Sequence, residues 1–172
     1  MNIDLVANSS SERSAVYATL ARCFRYPGIS EGEEAGIAYN EAFENSISKR
    51  AASLNEASYI SHQQDALLEE LVRFYDYFGL KRNEDSEMPD HLSVELEFMH
   101  FLTFLEQKAC ERGEPIHELR KAQYDFLERH IKRLTNGVVD SFQSENPYYQ
   151  QVLVDLQGFI QLELEELNNA VH

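Results

Sequence analysis

Glutamate and histidine one helical turn apart can hold a metal ion or move a proton, and this chain places them so twice, at Glu97-x-x-His100 and Glu114-x-x-His117. Two such pairs facing each other in a bundle, with further glutamates, make a di-iron or di-manganese site. The spacing argues against that chemistry here. At about 100° per residue, Glu97 and His100 fall on a polar strip with Ser93, Gln107 and Glu111, while Glu114-Pro115 opens a helix at a turn soon afterwards. The pairs cannot converge on one centre, so no metal, cofactor or catalysis is expected, and the di-metal carboxylate enzyme stands as the alternative reading. Other chemistries lack their residues. There is no G-x-S-x-G, no glycine-rich phosphate loop among the 7 glycines, and neither Cys23 nor Cys110 belongs to a C-x-x-C or a Cys/His cluster. What remains is the stretch EMPDHLSVELEFMHFL, in which Asp90-His91 precedes a hydrophobic helix and Glu95 interrupts it.

The elements that must position these residues are helical throughout. Ser9 and Glu12 form a capping box ahead of Val16, Tyr17, Leu20, Ala21, Cys23 and Phe24, and that helix stops before Pro27-Gly28. A second box, Ser30 with Glu33, opens a weaker helix over about residues 31–55, with Ile37, Phe43, Ile47 and Leu54 as its sparse apolar positions and a candidate break near Asn45-Ser46. A stronger helix spans about 61–78, and Gly79 is its left-handed cap residue. Residues 81–88 form a polar loop, and helices follow from Pro89 to about 111, from Pro115 to about 135 with Asn136-Gly137 closing it, and from Pro147 to about 168. No segment alternates with period two. The pattern is an all-α, single-domain multi-helix bundle of six or seven helices over residues 1–172, with a polar loop at about 80–88.

The helix after Pro89 is apolar around more than half its surface, through Leu92, Val94, Leu96, Phe98, Met99, Phe101, Leu102, Leu105 and Ala109, so it is central. Glu95 points with Met99 and Leu102, on the side that also carries His91 and Glu106. A buried carboxylate without a partner costs several kcal/mol, so Glu95 should meet His91 or a cation from another helix. Arg120 and His130, on the next helix, are the candidates, and Glu95, Arg120 and His130 are expected to form a satisfied core network. Asp90, in the first turn, caps free amides and complements the helix dipole. The same account does not explain His91.

The chain has 30 acidic against 15 basic residues, a net charge of −15. Such a surface repels phosphate backbones and favours cationic partners, and a halophilic or simply soluble acidic surface accounts for the excess equally well. The N-terminus MNIDLVANSSSER has no basic region followed by an apolar run, and no apolar stretch approaches a membrane span, so the expected location is the cytoplasm.

Pro89-Asp90-His91-Leu92 followed by Glu95-Leu96-x-Phe98-Met99 resembles the signature of the TorD/DmsD/NarJ family of chaperones for molybdenum-containing oxidoreductases. Arg13-x-x-x-Tyr17-x-x-Leu20-x-x-x-Phe24-x-x-Pro27 is similar to the family's first helix. Phe74-Tyr75-x-x-Phe78-Gly79-Leu80, Gln123-x-x-Phe126-Leu127-x-x-His130 and Tyr148-Tyr149 are similar to later segments, in the same order. Where the family usually has a tryptophan after its Phe-Leu-x-x-His stretch, Leu134 stands here. The resemblance implies a TorD-like helical fold without a cofactor. It also implies a cytoplasmic partner, namely the immature catalytic subunit of a molybdopterin oxidoreductase and its leader peptide of twin-arginine type. Carried over, Asp90 and His91 bind the peptide, Glu87 and Pro89 shape the loop, and Tyr75, Phe78, Met88 and Phe98 line an apolar groove. The oligomer it implies is a monomer or a dimer swapped about the polar loop.

Overall fold

The computed structural model describes residues 9–81 and 87–172. The middle of the polar loop, read as a hinge, and the opening residues, read for a signal peptide, lie outside the described residues. Helix α1 is Ser10–Cys23, α2 Glu33–Phe43, α3 Gln64–Tyr77, α4 Leu92–Glu111, α5 His117–Phe126, α6 Lys132–Ser141 and α7 Pro147–Val171. A π-helical segment, Leu127–Ile131, joins α5 to α6 without a break. Among the described residues no strand forms, and an isolated bridge pairs Asn55 with His91. The fold is all-α.

Local signals account for several helix ends. The Ser9 hydroxyl accepts from the Glu12 amide at 3.2 Å. The Asn146 side chain accepts from the Tyr148 amide at 3.0 Å and from the Tyr149 amide at 3.2 Å. Both are N-caps, which satisfy amides that the first turn leaves without partners. Gly79, just past α3, has φ 78°. That left-handed conformation costs glycine nothing.

Other ends depart from the sequence pattern. The expected helix over 31–55 stops at Phe43, because its apolar positions are too sparse to be covered and Ile47 is left exposed. The Ser30–Glu33 box does not form. Glu31 instead accepts from the Gly28 amide at 2.7 Å and closes a 3-10 turn, Ile29–Glu31. After Phe43 the chain becomes a strap that ties back through Ala52 N to Ala42 O at 2.8 Å and ends in a second 3-10 turn, Glu56–Tyr59. Asn136-Gly137 closes nothing, since α6 runs on to Ser141. Gly137 has a packing role there. The Tyr59 ring occupies the place of a Cβ, 2.4 Å from where one would stand.

One buried cluster draws on every helix, with α1 laid along α4 and α5 on α7. Arg13 sits within it, 1% exposed. Its Nε and Nη2 donate to both oxygens of Glu163, at 2.7 and 2.8 Å, its Nη1 to Glu106 at 3.0 Å and its Nη2 to Gln123 at 2.6 Å. Tyr17 donates to Glu163 at 2.9 Å, and Arg120 to Glu106 at 2.9 Å. Two arginines and two glutamates thus cancel, and one planar guanidinium fixes α1, α4, α5 and α7 in register. Burial disfavours the Arg13 charge, but the Glu163 carboxylate outweighs it and raises the pKa.

Candidate signature cleft

The signature segment crosses the strap. Asp90 is not in the first turn of α4. His91 is the capping residue, and Pro89 and Asp90 lie in the turn before it. Asp90 and His91 are 2% and 6% exposed, whereas a position at a helix start beside a polar loop would be expected to meet solvent. The reason is the strap. The Asp90 carboxylate accepts from Asn55 Nδ2 at 3.1 Å and from the Ala57 amide at 3.0 Å. The backbones add Glu56 N to Asp90 O at 2.9 Å and Leu92 N to Leu54 O at 2.8 Å. Asp90 therefore serves the strap's orphan amides rather than those of α4.

His91 is bonded on one side. Its Nδ1 accepts from the Ser93 amide at 3.3 Å and lies 2.8 Å from the Ser93 hydroxyl. Burial lowers its pKa, against the charges of Glu87 and Asp90. A neutral ring that accepts at Nδ1 carries its proton on Nε2. Nε2 has no hydrogen-bond partner among the described residues, and His91 lines a cleft of about 310 Å³ with Tyr26, Tyr39, Phe43, Glu44, Asn55 and Glu87. The cleft thus offers carboxylates and aromatic faces, with one imidazole N–H to donate. Carboxylates and aromatic faces are what a guanidinium meets well, and the N–H suits a peptide carbonyl.

The expected apolar groove does not assemble. Tyr75 and Phe98 are buried and stack with Phe126 in the core. The Tyr75 hydroxyl donates to Pro89 O at 2.7 Å, so Tyr75 braces the signature from beneath. Phe78 is half-buried and lines a separate groove between α3 and α5, and Met88 is exposed.

The expected core network is likewise divided. Arg120 belongs to Glu106, in the Arg13 cluster. His130 Nδ1 lies 3.1 Å from Glu56, which also accepts from Arg133 Nε at 2.7 Å. Burial alone would raise the Glu56 pKa, but His130 and Arg133 outweigh it and hold Glu56 low. Glu95 is fully buried, and no donor reaches either of its oxygens. Burial, then the neighbouring Glu56 charge, raises its pKa well above the usual carboxylate range. With no cation to offset its burial, Glu95 favours the neutral carboxyl, which costs less to bury than a carboxylate.

The di-metal pairs are dispersed. Glu97 pairs with Arg25, His100 Nδ1 lies 2.8 Å from the Ser14 hydroxyl, and Glu114 faces Arg112 at 3.5 Å. Among the described residues, no group of three or more His, Cys, Asp or Glu could hold a metal ion. No described helix is long and apolar enough to cross a membrane.

Comparison with known proteins agrees with the signature. The selenate reductase assembly chaperone protein of Thauera selenatis is 35% identical over 67% of this chain and 68% of its own length. The chlorate reductase assembly chaperone protein of Ideonella dechloratans is 42% identical over 40% of this chain and 36% of its own, and the perchlorate reductase assembly chaperone protein of Dechloromonas aromatica (strain RCB) is 38% identical over 52% and 41%. These relatives are named for assembling enzymes rather than for catalysis, which places this chain with non-enzymes. The profile headed nitrate reductase delta subunit matches residues 8–137, spanning the first helix, the strap, the signature and the π segment, and this chain belongs to that family, the NarJ/TorD group that its signature resembles.

Proposed function

We propose that this protein is a cytoplasmic, single-domain assembly chaperone that binds the N-terminal leader and immature catalytic subunit of a molybdenum-containing oxidoreductase. It holds the subunit until folding and cofactor loading are complete and so proofreads export. Family membership across residues 8–137 carries the reading, together with relatives named as assembly chaperones for selenate, chlorate and perchlorate reductases. The chemistry of the signature cleft supports a twin-arginine leader. In this reading Glu87 and Glu44 supply acceptors for guanidinium groups, Tyr26 and Tyr39 supply faces for them, and His91 Nε2–H donates to a leader carbonyl. Asp90, Pro89 and Tyr75 act beneath the site by holding the strap and the turn, while Phe78 and Met88 do not line it. The reaction chemistry belongs to the client.

Affinity purification of the chain from its native host, with mass spectrometry of what it retains, tests this. The expected result is the catalytic subunit of a molybdopterin oxidoreductase, lost when the client's leader is deleted. Recovery without any such subunit overturns the reading.

A further inference from the structure

A second cleft adjoins the signature cleft and shares Tyr26 with it. It has a volume of about 480 Å³, and its walls include Ile29, Ile37 and Glu33. Its apolar residues have no cover. Ile29 is 103% exposed, Tyr26 56% and Ile37 51%. Isolated exposed apolar side chains are ordinary, but three around one trough form a patch, and patches of this kind mark interaction sites.

The trough is built into the α1–α2 junction. Gly28, Gly32 and Gly36 line it, so the backbone forms its floor. Gly32 has φ 86°, a conformation that turns the chain into α2 and suits glycine. At Gly36 a Cβ would stand 2.9 Å from the Tyr26 hydroxyl, so glycine lets that ring lie over α2, edge-on to Tyr39 at 5.4 Å. Tyr26 is thereby held as the partition between the two clefts.

Charge identifies the occupant. From Tyr26 to Ser48 the chain carries Glu31, Glu33, Glu34, Glu41 and Glu44 and no lysine or arginine. An apolar trough with Glu33 in its wall, beside a cleft that holds Glu44 and Glu87, selects a partner that is cationic at one end and apolar next to it. We infer that the trough formed by Tyr26, Ile29 and Ile37 seats the apolar run of the client leader, while the leader's arginines occupy the Glu44–Glu87 cleft on the far side of Tyr26. This rests on the leader reading and deepens it, because it seats the apolar run at the α1–α2 junction in place of the groove expected from Tyr75, Phe78, Met88 and Phe98. The arrangement also fixes direction, with the basic end at the strap and the apolar end towards Ile29.

The probe is a fluorescein-labelled synthetic peptide with two arginines followed by about a dozen leucines and alanines, titrated by anisotropy. Wild type should bind it, with affinity lost when the arginines become glutamines or the apolar run becomes serines. The double variant Ile29→Ser/Ile37→Ser, both positions being exposed, should keep the thermal midpoint and weaken binding about tenfold. Tyr77→Ser, in the α3–α5 groove, should leave affinity unchanged. Weakening by Tyr77→Ser but not by the isoleucine pair overturns the seat and puts the apolar run in that groove. A wild-type dimer in light scattering that the isoleucine pair converts to monomers makes a second copy of this chain the occupant, and also overturns it. Binding that ignores both the arginines and the apolar run overturns the leader reading itself, whereas binding that needs both but ignores Ile29 and Ile37 overturns the seat alone.

Discussion

Replacing Asp90 separates holding the site from touching the ligand. The Asp90 carboxylate, almost wholly buried, accepts one bond from Asn55 Nδ2 and one from the Ala57 amide. A hydrogen bond to a charged group contributes about 1.5–3 kcal/mol, and a buried amide left without an acceptor costs about 1–3 kcal/mol. These are not additive, because the freed strap can relax towards water. The expected loss for Asp90→Ala is about 2–4 kcal/mol, more than the ~1 kcal/mol of an exposed cap. Asp90→Asn keeps one acceptor oxygen for Ala57 N and should lose about half as much. His91→Ala removes a capping acceptor and should cost only ~1 kcal/mol, since Nδ1 makes its cap bond and Nε2 has no partner among the described residues. Urea melts of the three variants give the stabilities, and titration of a leader peptide gives the affinities. Asp90→Asn, where folded, should bind nearly as wild type, and His91→Ala should bind several-fold more weakly while staying folded. If Asp90→Asn abolishes binding with its urea midpoint unchanged, the carboxylate contacts the peptide directly and this division of labour is wrong.

Arg13→Ala leaves the Glu163 and Glu106 carboxylates short of a buried cation. It should cost about 3–5 kcal/mol in urea melts, with Arg13→Ala/Glu163→Leu recovering much of it. Glu95 holds its proton when folded but releases it near the ordinary value of 4.5 when unfolded, so it lowers stability progressively as pH rises above that value. Glu95→Gln should flatten the decline in chemical melts as pH rises above about 5, and an unchanged slope would put the titration elsewhere. Gly137→Ala drives a methyl into the Tyr59 ring. It should cost about 1–3 kcal/mol despite alanine's better helix propensity, read as a lower thermal midpoint. Metal analysis of protein purified without chelator should find no stoichiometric iron or manganese. Glu97 pairs with an exposed arginine, Arg25, so Glu97→Ala should leave the urea midpoint almost unchanged, as surface substitutions usually do.

By itself the sequence determined what depends on near neighbours. Ser9, Asn146 and Gly79 mark helix ends because a cap bonds amides or frees a backbone angle within one turn. The apolar surround of Leu92–Glu111 makes that helix central whatever packs against it. The signature was also legible, as a motif. Tertiary structure decided which polar groups meet. Periodicity placed Glu95 on an inward face but could not say that its neighbour would be Glu56, far back along the chain on the strap, rather than a cation, nor that Arg120 would go to Glu106. It likewise could not show that Asp90 is spent on Asn55 and Ala57. The clefts are the extreme case. Tyr26, Ile29, Ile37 and Glu44 carry no motif, and their juxtaposition with Glu87 and His91 exists only because the strap folds back onto the turn before α4. The interactions that cap a helix span one turn, whereas those that build a site span the chain, and their partners are set by the packing of every element between them.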